Sequence, residues 1–156
     1  MVKNNVTRML VSKGIQFQAF ELPQEKLSAL EAAQYLEVDP GLVFKTIVVT
    51  RAQKGKSILA LVPAPGEVDL KSLARVLGDK KVYLASQKEA EQITGLQVGG
   101  ISPLALLSRG FQVVLDLSAS SLEDIYISGG QRGLNIRLSP IDLIELTQAT
   151  VGAISR

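Results

Sequence analysis

Within Val43-Phe-Lys-Thr-Ile-Val-Val-Thr50 a single cation, Lys45, interrupts an otherwise apolar strand pattern. A charge in such a run needs water or an anion beside it. Either its stem lies along an exposed sheet face with the ammonium in solvent, or it points into a cleft and holds a phosphate or carboxylate. Further along, Val98-Gly-Gly-Ile-Ser-Pro103 brings together two glycines, a hydroxyl and a rigid proline. As plain chain this is a turn, because Gly reaches angles closed to other residues and Pro fixes its own. As chemistry it is a cradle of amide N–H groups turned towards something anionic. Ser128-Gly-Gly-Gln-Arg-Gly133 offers the same choice: a loose hairpin loop, or a second set of amides and hydroxyls. Neither loop carries the Gly-Lys-Ser/Thr ending of a phosphate loop or the Gly-x-Gly-x-x-Gly spelling of a dinucleotide site.

The chemistry open to these residues is narrowed by two zeros. The chain of 156 residues has no His and no Cys. It cannot build a Ser-His-Asp triad, a Cys-His pair or an ordinary His/Cys zinc site. An enzyme of this composition works with carboxylates, Lys, Ser/Thr, Tyr, backbone amides, or a group that the substrate brings. Net charge is +2 and the calculated pI about 8.9, too mild to announce a nucleic-acid binder on its own. The basic residues are nevertheless bunched. Lys71, Arg75, Lys80, Lys81 and Lys88 share one stretch, which reads as a solvated face or a binding patch, and Arg132 and Arg137 flank the second glycine loop. Aromatic residues are only 4%, which argues against a base-stacking platform.

The elements that must position these groups can be read from caps and periodicity. Ser28-Ala-Leu-Glu31 and Ser86-Gln-Lys-Glu89 spell capping boxes, as does Ser139-Pro-Ile-Asp142 with Asp in the acidic place. Gly14, Gly78 and Gly95 read as helix stops. Helices are expected over 2–13, 28–36, 69–77, 86–94 and 140–151. Strand-like runs cover 15–22, 43–50, 58–62, 82–85, 111–117, 125–128 and 134–138. Lys54-Gly55-Lys56 reads as a hairpin turn between two of them, and the 128–133 loop joins two more. Strands in neighbouring pairs with helices between predict an α+β fold: a single compact domain over 1–156 with a mixed, mostly antiparallel sheet. Met1-Val-Lys-Asn-Asn gives no targeting signal, and no apolar run is long enough for a membrane span, so a cytoplasmic protein without membrane contact is expected.

In order and spacing, "FKTIVV", "VGGISP" and "YISGGQRGL" followed by "SPIDL" resemble the YbaK/EbsC family of bacterial aminoacyl-tRNA deacylases, over nearly the whole chain. The resemblance implies an α+β domain around a barrel-like sheet, related to the editing domain inserted in prolyl-tRNA synthetases. It implies hydrolysis of mischarged tRNA, chiefly cysteinyl-tRNA(Pro), without metal or other cofactor. Its catalytic positions fall on Lys45, Gly100 and Ser128. The flanking residues Gly99, Ile101, Ser102, Gly129, Gly130 and Arg132, with Phe20 and Asn135, make up the expected substrate-binding set. Two of these depart from the family pattern, which often has Tyr where this chain has Phe20 and Asp where it has Asn135. The implied nucleophile is the cysteinyl thiol of the substrate itself, attacking its own ester, with the pocket supplying proximity. The implied partners are the tRNA acceptor end and prolyl-tRNA synthetase. Two other readings stay open on the residues: an alanyl-tRNA(Pro) deacylase that activates water, and a module that grips tRNA or a synthetase without cleaving anything.

Overall fold

Each helix opens on a side chain that accepts a backbone N–H, which fixes where it begins. In the computed structural model, which describes residues 3–52 and 54–156, the helices are α1 (Asn5–Ser12), α2 (Ala29–Leu36), α3 (Leu70–Leu77), α4 (Gln87–Thr94) and α5 (Pro140–Thr147). Their N-caps are Asn4, Ser28, Asp69, Ser86 and Ser139. The boxes at Ser28 and Ser86 close reciprocally with Glu31 and Glu89. At Ser139 the hydroxyl accepts from the Ile141 amide at 3.2 Å, but Asp142 does not reach back. Its carboxyl is one methylene shorter than the Glu the motif calls for. Asn4 and Thr7 form a box that sequence reading did not single out. Residue 2, the expected start of the first helix, lies outside the described residues.

The strands are β1 (Phe17–Glu21), β2 (Phe44–Arg51), β3 (Ile58–Pro63), β4 (Val82–Leu84), β5 (Gln112–Asp116), β6 (Ile125–Ser128), β7 (Leu134–Leu138) and β8 (Thr150–Gly152). They form two sheets, one ordered β1-β7-β6 and one ordered β4-β2-β3-β5-β8. Pairing is antiparallel except for β3 with β5 and β5 with β8, so the mixed, mostly antiparallel expectation holds. The barrel-like arrangement does not. Between the sheets the described strands share one isolated parallel bridge, Val43 with Tyr126, and no closed barrel results.

One element differs from the sequence expectation. The helix expected over 140–151 ends at Thr147, where Gln148 takes a left-handed conformation (φ +55°). Thr150 and Val151, both β-branched, then extend into β8 alongside β5. The connection from β2 to β3 contains Lys54-Gly55-Lys56, and the two strands do pair antiparallel; Gln53 within it lies outside the described residues.

Strand alternation separates the cores. Ile125, Ile127, Leu134, Ile136 and Leu138 of the smaller sheet pack with Phe44, Val48, Leu59, Leu61 and Leu115 of the larger one. The other face of the larger sheet buries Val49, Ile58, Ala60, Val62 and Val114 against Leu73 and Ala74 of α3. The remaining face of the smaller sheet carries Phe20, Tyr126, Arg137, Asn135 and Ser128. Asn135 lies directly between Ser128 on β6 and Phe20 on β1.

Candidate active site

Past the Val43–Tyr126 bridge the two sheets part, and β4 rejoins β2 only at Val49. Between those points, among the described residues, the β2 edge over residues 44–48 pairs with no strand, although β6 lies close by. A cavity of about 440 Å³ fills this gap, lined by residues 43–48 on one side and by Ser128, Leu134 and Asn135 on the other. The Val48 carbonyl accepts from the Ala85 amide at 3.0 Å, so it points to this edge, whereas the Val43 carbonyl accepts from Ala64 on the β3 side. By alternation the main-chain groups of Thr46 also point to the open edge.

Thr46 and Lys45 meet the cavity from opposite faces of β2. Thr46 shares its face with Phe44 and Val48, and its Oγ1 is buried with no hydrogen-bond partner. Lys45 is half-buried and its Nζ donates to the Ala64 carbonyl at 3.2 Å. Among the described residues no carboxylate lies within ion-pair distance of that ammonium. Across the gap Asn135 is only 7% exposed and its Oδ1 has no partner. Buried polar groups are almost always satisfied, so two unpaired oxygens on residues that line one cavity set this wall apart. The α2 and α4 N-termini, at Ser28 and Ser86, complete the wall. There the Ser28 and Ser86 amides, by hydrogen bonding to Glu31 and Glu89, hold those carboxyls below the usual range.

The glycine loops support this wall more than they form it. Gly99 and Ile101 line the cavity, whereas Gly100, Ser102, Gly129, Gly130, Arg132 and Phe20 do not. The Gly100 amide donates to the Gln97 carbonyl at 2.8 Å, within its own turn. A Cβ on Gly100 would stand 2.8 Å from the backbone of Gln131 and Arg132, so the two loops touch where only glycine fits. Arg132 Nε donates to the Val98 carbonyl at 2.8 Å and clasps the same contact. Asn4 Nδ2 donates to the Gly129 carbonyl at 3.0 Å and to Gln131 Oε1 at 3.1 Å, tying the second loop to the start of α1. Ser128 Oγ accepts from the Gly130 amide at 3.3 Å while still facing the cavity. Ser102 is fully buried, capping a short 3-10 turn through the Leu104 amide, and Phe20 packs its ring 5.7 Å from Tyr126. Of the expected set, then, the structure gathers Lys45, Gly99, Ile101, Ser128 and Asn135 around one cavity. It adds Thr46, Ser28, Ser86 and Gln87, which sequence reading did not select. Among the described residues no three His, Cys, Asp or Glu side chains come together as a metal-holding group.

The fold of this molecule recurs in solved structures. The crystal structure of the hypothetical protein APE2540 superposes with a TM-score of 0.89 at 26% identity, covering 98% of this chain and 100% of that one. A structure titled as a trans-editing enzyme proposed for prolyl-tRNA synthetase shares the fold at a TM-score of 0.80 and 24% identity, covering 100% of this chain and 99% of that one. The chain belongs to the family described as the aminoacyl-tRNA editing domain, whose profile matches residues 24–146. It is 33% identical over 155 residues to the EbsC protein of Enterococcus faecalis, whose name proposes Cys-tRNA(Pro)/Cys-tRNA(Cys) deacylase activity; the match covers 98% of this chain and 93% of that protein. It is also 25% identical over 122 residues to the proline–tRNA ligase of Geobacter metallireducens, covering 78% of this chain and 20% of the ligase.

Proposed function

We propose that this chain, acting as one domain over 1–156, deacylates mischarged tRNA, with cysteinyl-tRNA(Pro) as its substrate and prolyl-tRNA synthetase as a partner in selecting the tRNA. The observation that carries the reading is the seam cavity: Lys45, Thr46, Ser128 and Asn135 meet there in a chain with neither imidazole nor thiol. Its similarity to EbsC along nearly the whole length supports the substrate class.

In this reading the terminal adenosine and its aminoacyl ester enter the gap between the sheets. Lys45 anchors a phosphate or polar group of the nucleotide, and Ser128 orients the ester. Asn135 Oδ1 accepts from a donor on the aminoacyl group, and Thr46 bonds its carbonyl side. Gly99 and Ile101 allow the ester to lie close against backbone. Gly100 serves by letting the two loops meet. The substrate sulfur then attacks the ester carbonyl, forming a C–S bond as the C–O bond to the ribose breaks. The sulfhydryl proton ends on the ribose oxygen, and a thiolactone leaves for hydrolysis in water. The pocket contributes orientation, which is worth several orders of magnitude in such intramolecular steps.

The test compares cysteinyl-, seryl- and alanyl-tRNA(Pro). Fit alone separates near-isosteres by about 10–200-fold. A thiol ionises far more readily than an alcohol, so cysteinyl-tRNA should exceed seryl-tRNA by more than that range. S-methylation of the cysteinyl group should abolish cleavage. Undiminished hydrolysis of the S-methyl substrate would assign the reaction to activated water, and binding without turnover of any substrate would make the chain a non-catalytic module.

A further inference from the structure

Between residues 67 and 91 every carboxylate is turned onto a partner of its own. Asp69 accepts from the Ser72 amide at 3.1 Å, Asp79 pairs with Arg51 at 3.2 Å, and Glu89 accepts from the Ser86 amide at 3.0 Å. Glu91 accepts from the Val98 amide at 2.8 Å, and Glu67 faces Arg156 at 4.0 Å. The cations of the same stretch are left over. Lys71, Arg75, Lys80, Lys81 and Lys88 are all exposed, and among the described residues none is in an ion pair.

Their placement is continuous with the cavity. Lys71 and Arg75 stand one turn apart on α3, which packs against β4. Lys80 and Lys81 lead into β4, and the Lys81 ammonium lies 5.3 Å over the exposed Tyr83 ring. β4 then runs along β2 and delivers Ala85, Ser86 and Gln87 to the cavity wall, with Lys88 next in the chain. From Lys81 to Ala85 is four residues of extended chain, about 13 Å. Lys26 stands across the mouth, its Nζ donating to Gln87 Oε1 at 2.6 Å.

We infer that the α3–β4–α4 face is the seat of the tRNA acceptor stem. Its phosphates lie on Lys80, Lys81 and Lys88, with Lys71 and Arg75 further from the cavity, while the 3′ end passes Ala85–Gln87 into the gap. This rests on the editing reading for the identity of the RNA. The charge complementarity stands on the surface itself, and phosphate contacts of this kind position a nucleic acid without reading its sequence.

The experiment replaces three of these exposed cations (Lys80→Gln, Lys81→Gln, Lys88→Gln) and compares them with an equal neutralisation elsewhere (Lys13→Gln, Lys56→Gln, Arg109→Gln). Binding of uncharged tRNA is measured against salt, alongside deacylation of full-length cysteinyl-tRNA and of the cysteinyl ester of adenosine alone. Loss of three phosphate contacts should lower the log–log salt slope by about 2–3. It should weaken tRNA binding and raise KM for the full tRNA at least tenfold, with kcat and the adenosine ester unchanged. The control set should bind tRNA as the unsubstituted protein does. An unchanged slope and affinity in the first set, as an acidic protein partner for this face would give, overturns the assignment. Equal losses in both sets would reduce it to net charge and overturn it as well. Because the binding arm needs no turnover, absence of deacylation by the unsubstituted protein would sink the editing reading while leaving the face to be decided separately.

Discussion

Lys45 and Thr46 are chain neighbours that reach one cavity from opposite faces of β2, and substitution of either should slow the reaction without unfolding the protein. In the proposed role Lys45 makes a charge-assisted contact to the nucleotide worth roughly 1.5–3 kcal/mol, so Lys45→Ala should lower deacylation about ten- to hundredfold with the fold retained. Wild-type activity in that variant would return Lys45 to a side chain that simply shelters its stem on the sheet. Thr46→Val keeps the shape and deletes an oxygen that is buried without a partner. Leaving such a group unpaired costs about 1–3 kcal/mol, so the variant should melt at the same or a higher temperature while its rate drops. A lower melting temperature with unchanged rate would mean the hydroxyl is satisfied in the resting protein and awaits no ligand. Only one of this pair was legible in the sequence. A cation inside an apolar strand stands out, whereas a β-branched Thr is what a strand ordinarily contains. The meaning of Asn135 also stayed hidden. It depends on Ser128 and Phe20 flanking it across two strand pairings, a fact of register.

At the scale of elements, the loops are held by a helix cap. Asn4 gives its oxygen to α1 through the Thr7 amide at 2.9 Å and its nitrogen to the Gly129 carbonyl and Gln131. Asn4→Asp separates the two tasks. Asp caps helices as well as Asn does, but its second oxygen would face two acceptors. Helix content by circular dichroism should therefore hold, while amides of residues 128–133 exchange faster and deacylation slows. Unaltered exchange in that loop would show the clasp to be dispensable. The starts of α2, α4 and α5 were readable because each is written in a local serine, and the Ser28 and Ser86 boxes formed as spelled, whereas the Asn4 cap of α1 was not seen. The end of α5 was not, since Gln148 takes its left-handed turn without the glycine that usually announces one. Nor was the open edge of β2 legible, because it follows from where two sheets part.

At the scale of the whole molecule, Asp116 ties the segment at Ile154 and Ser155 to the end of β5. Its carboxylate accepts the Ile154 and Ser155 amides at 3.0 Å each, as well as the hydroxyl and amide of Ser118. Burial by itself raises this carboxyl, but the Ser118 hydroxyl and the Ile154, Ser118 and Ser155 hydrogen bonds outweigh it and leave the group below the usual aspartate range. A depressed folded value stabilises the protein above the unfolded aspartate pKa of about 3.9, and that contribution is lost as pH falls through the folded value. The melting temperature should thus decline below about pH 4, and Asp116→Asn should flatten that decline while costing stability at neutral pH. An equally steep acid limb in the variant would place the acid sensitivity elsewhere. A different consequence follows from β1 lying beside β7. Phe17 pairs with Leu138, so the smaller sheet joins segments more than a hundred positions apart. Such contacts come late in folding, because the closure of a long loop must precede any reward from it. On a ribosome, where N-terminal parts emerge first, the growing chain can assemble β2, β3 and β4 well before Ser128 and Asn135 exist to face them. The wall that Ser128, Leu134 and Asn135 give the cavity is therefore absent from the nascent protein until β7 has been made, and the proposed recognition of substrate has to await the second sheet.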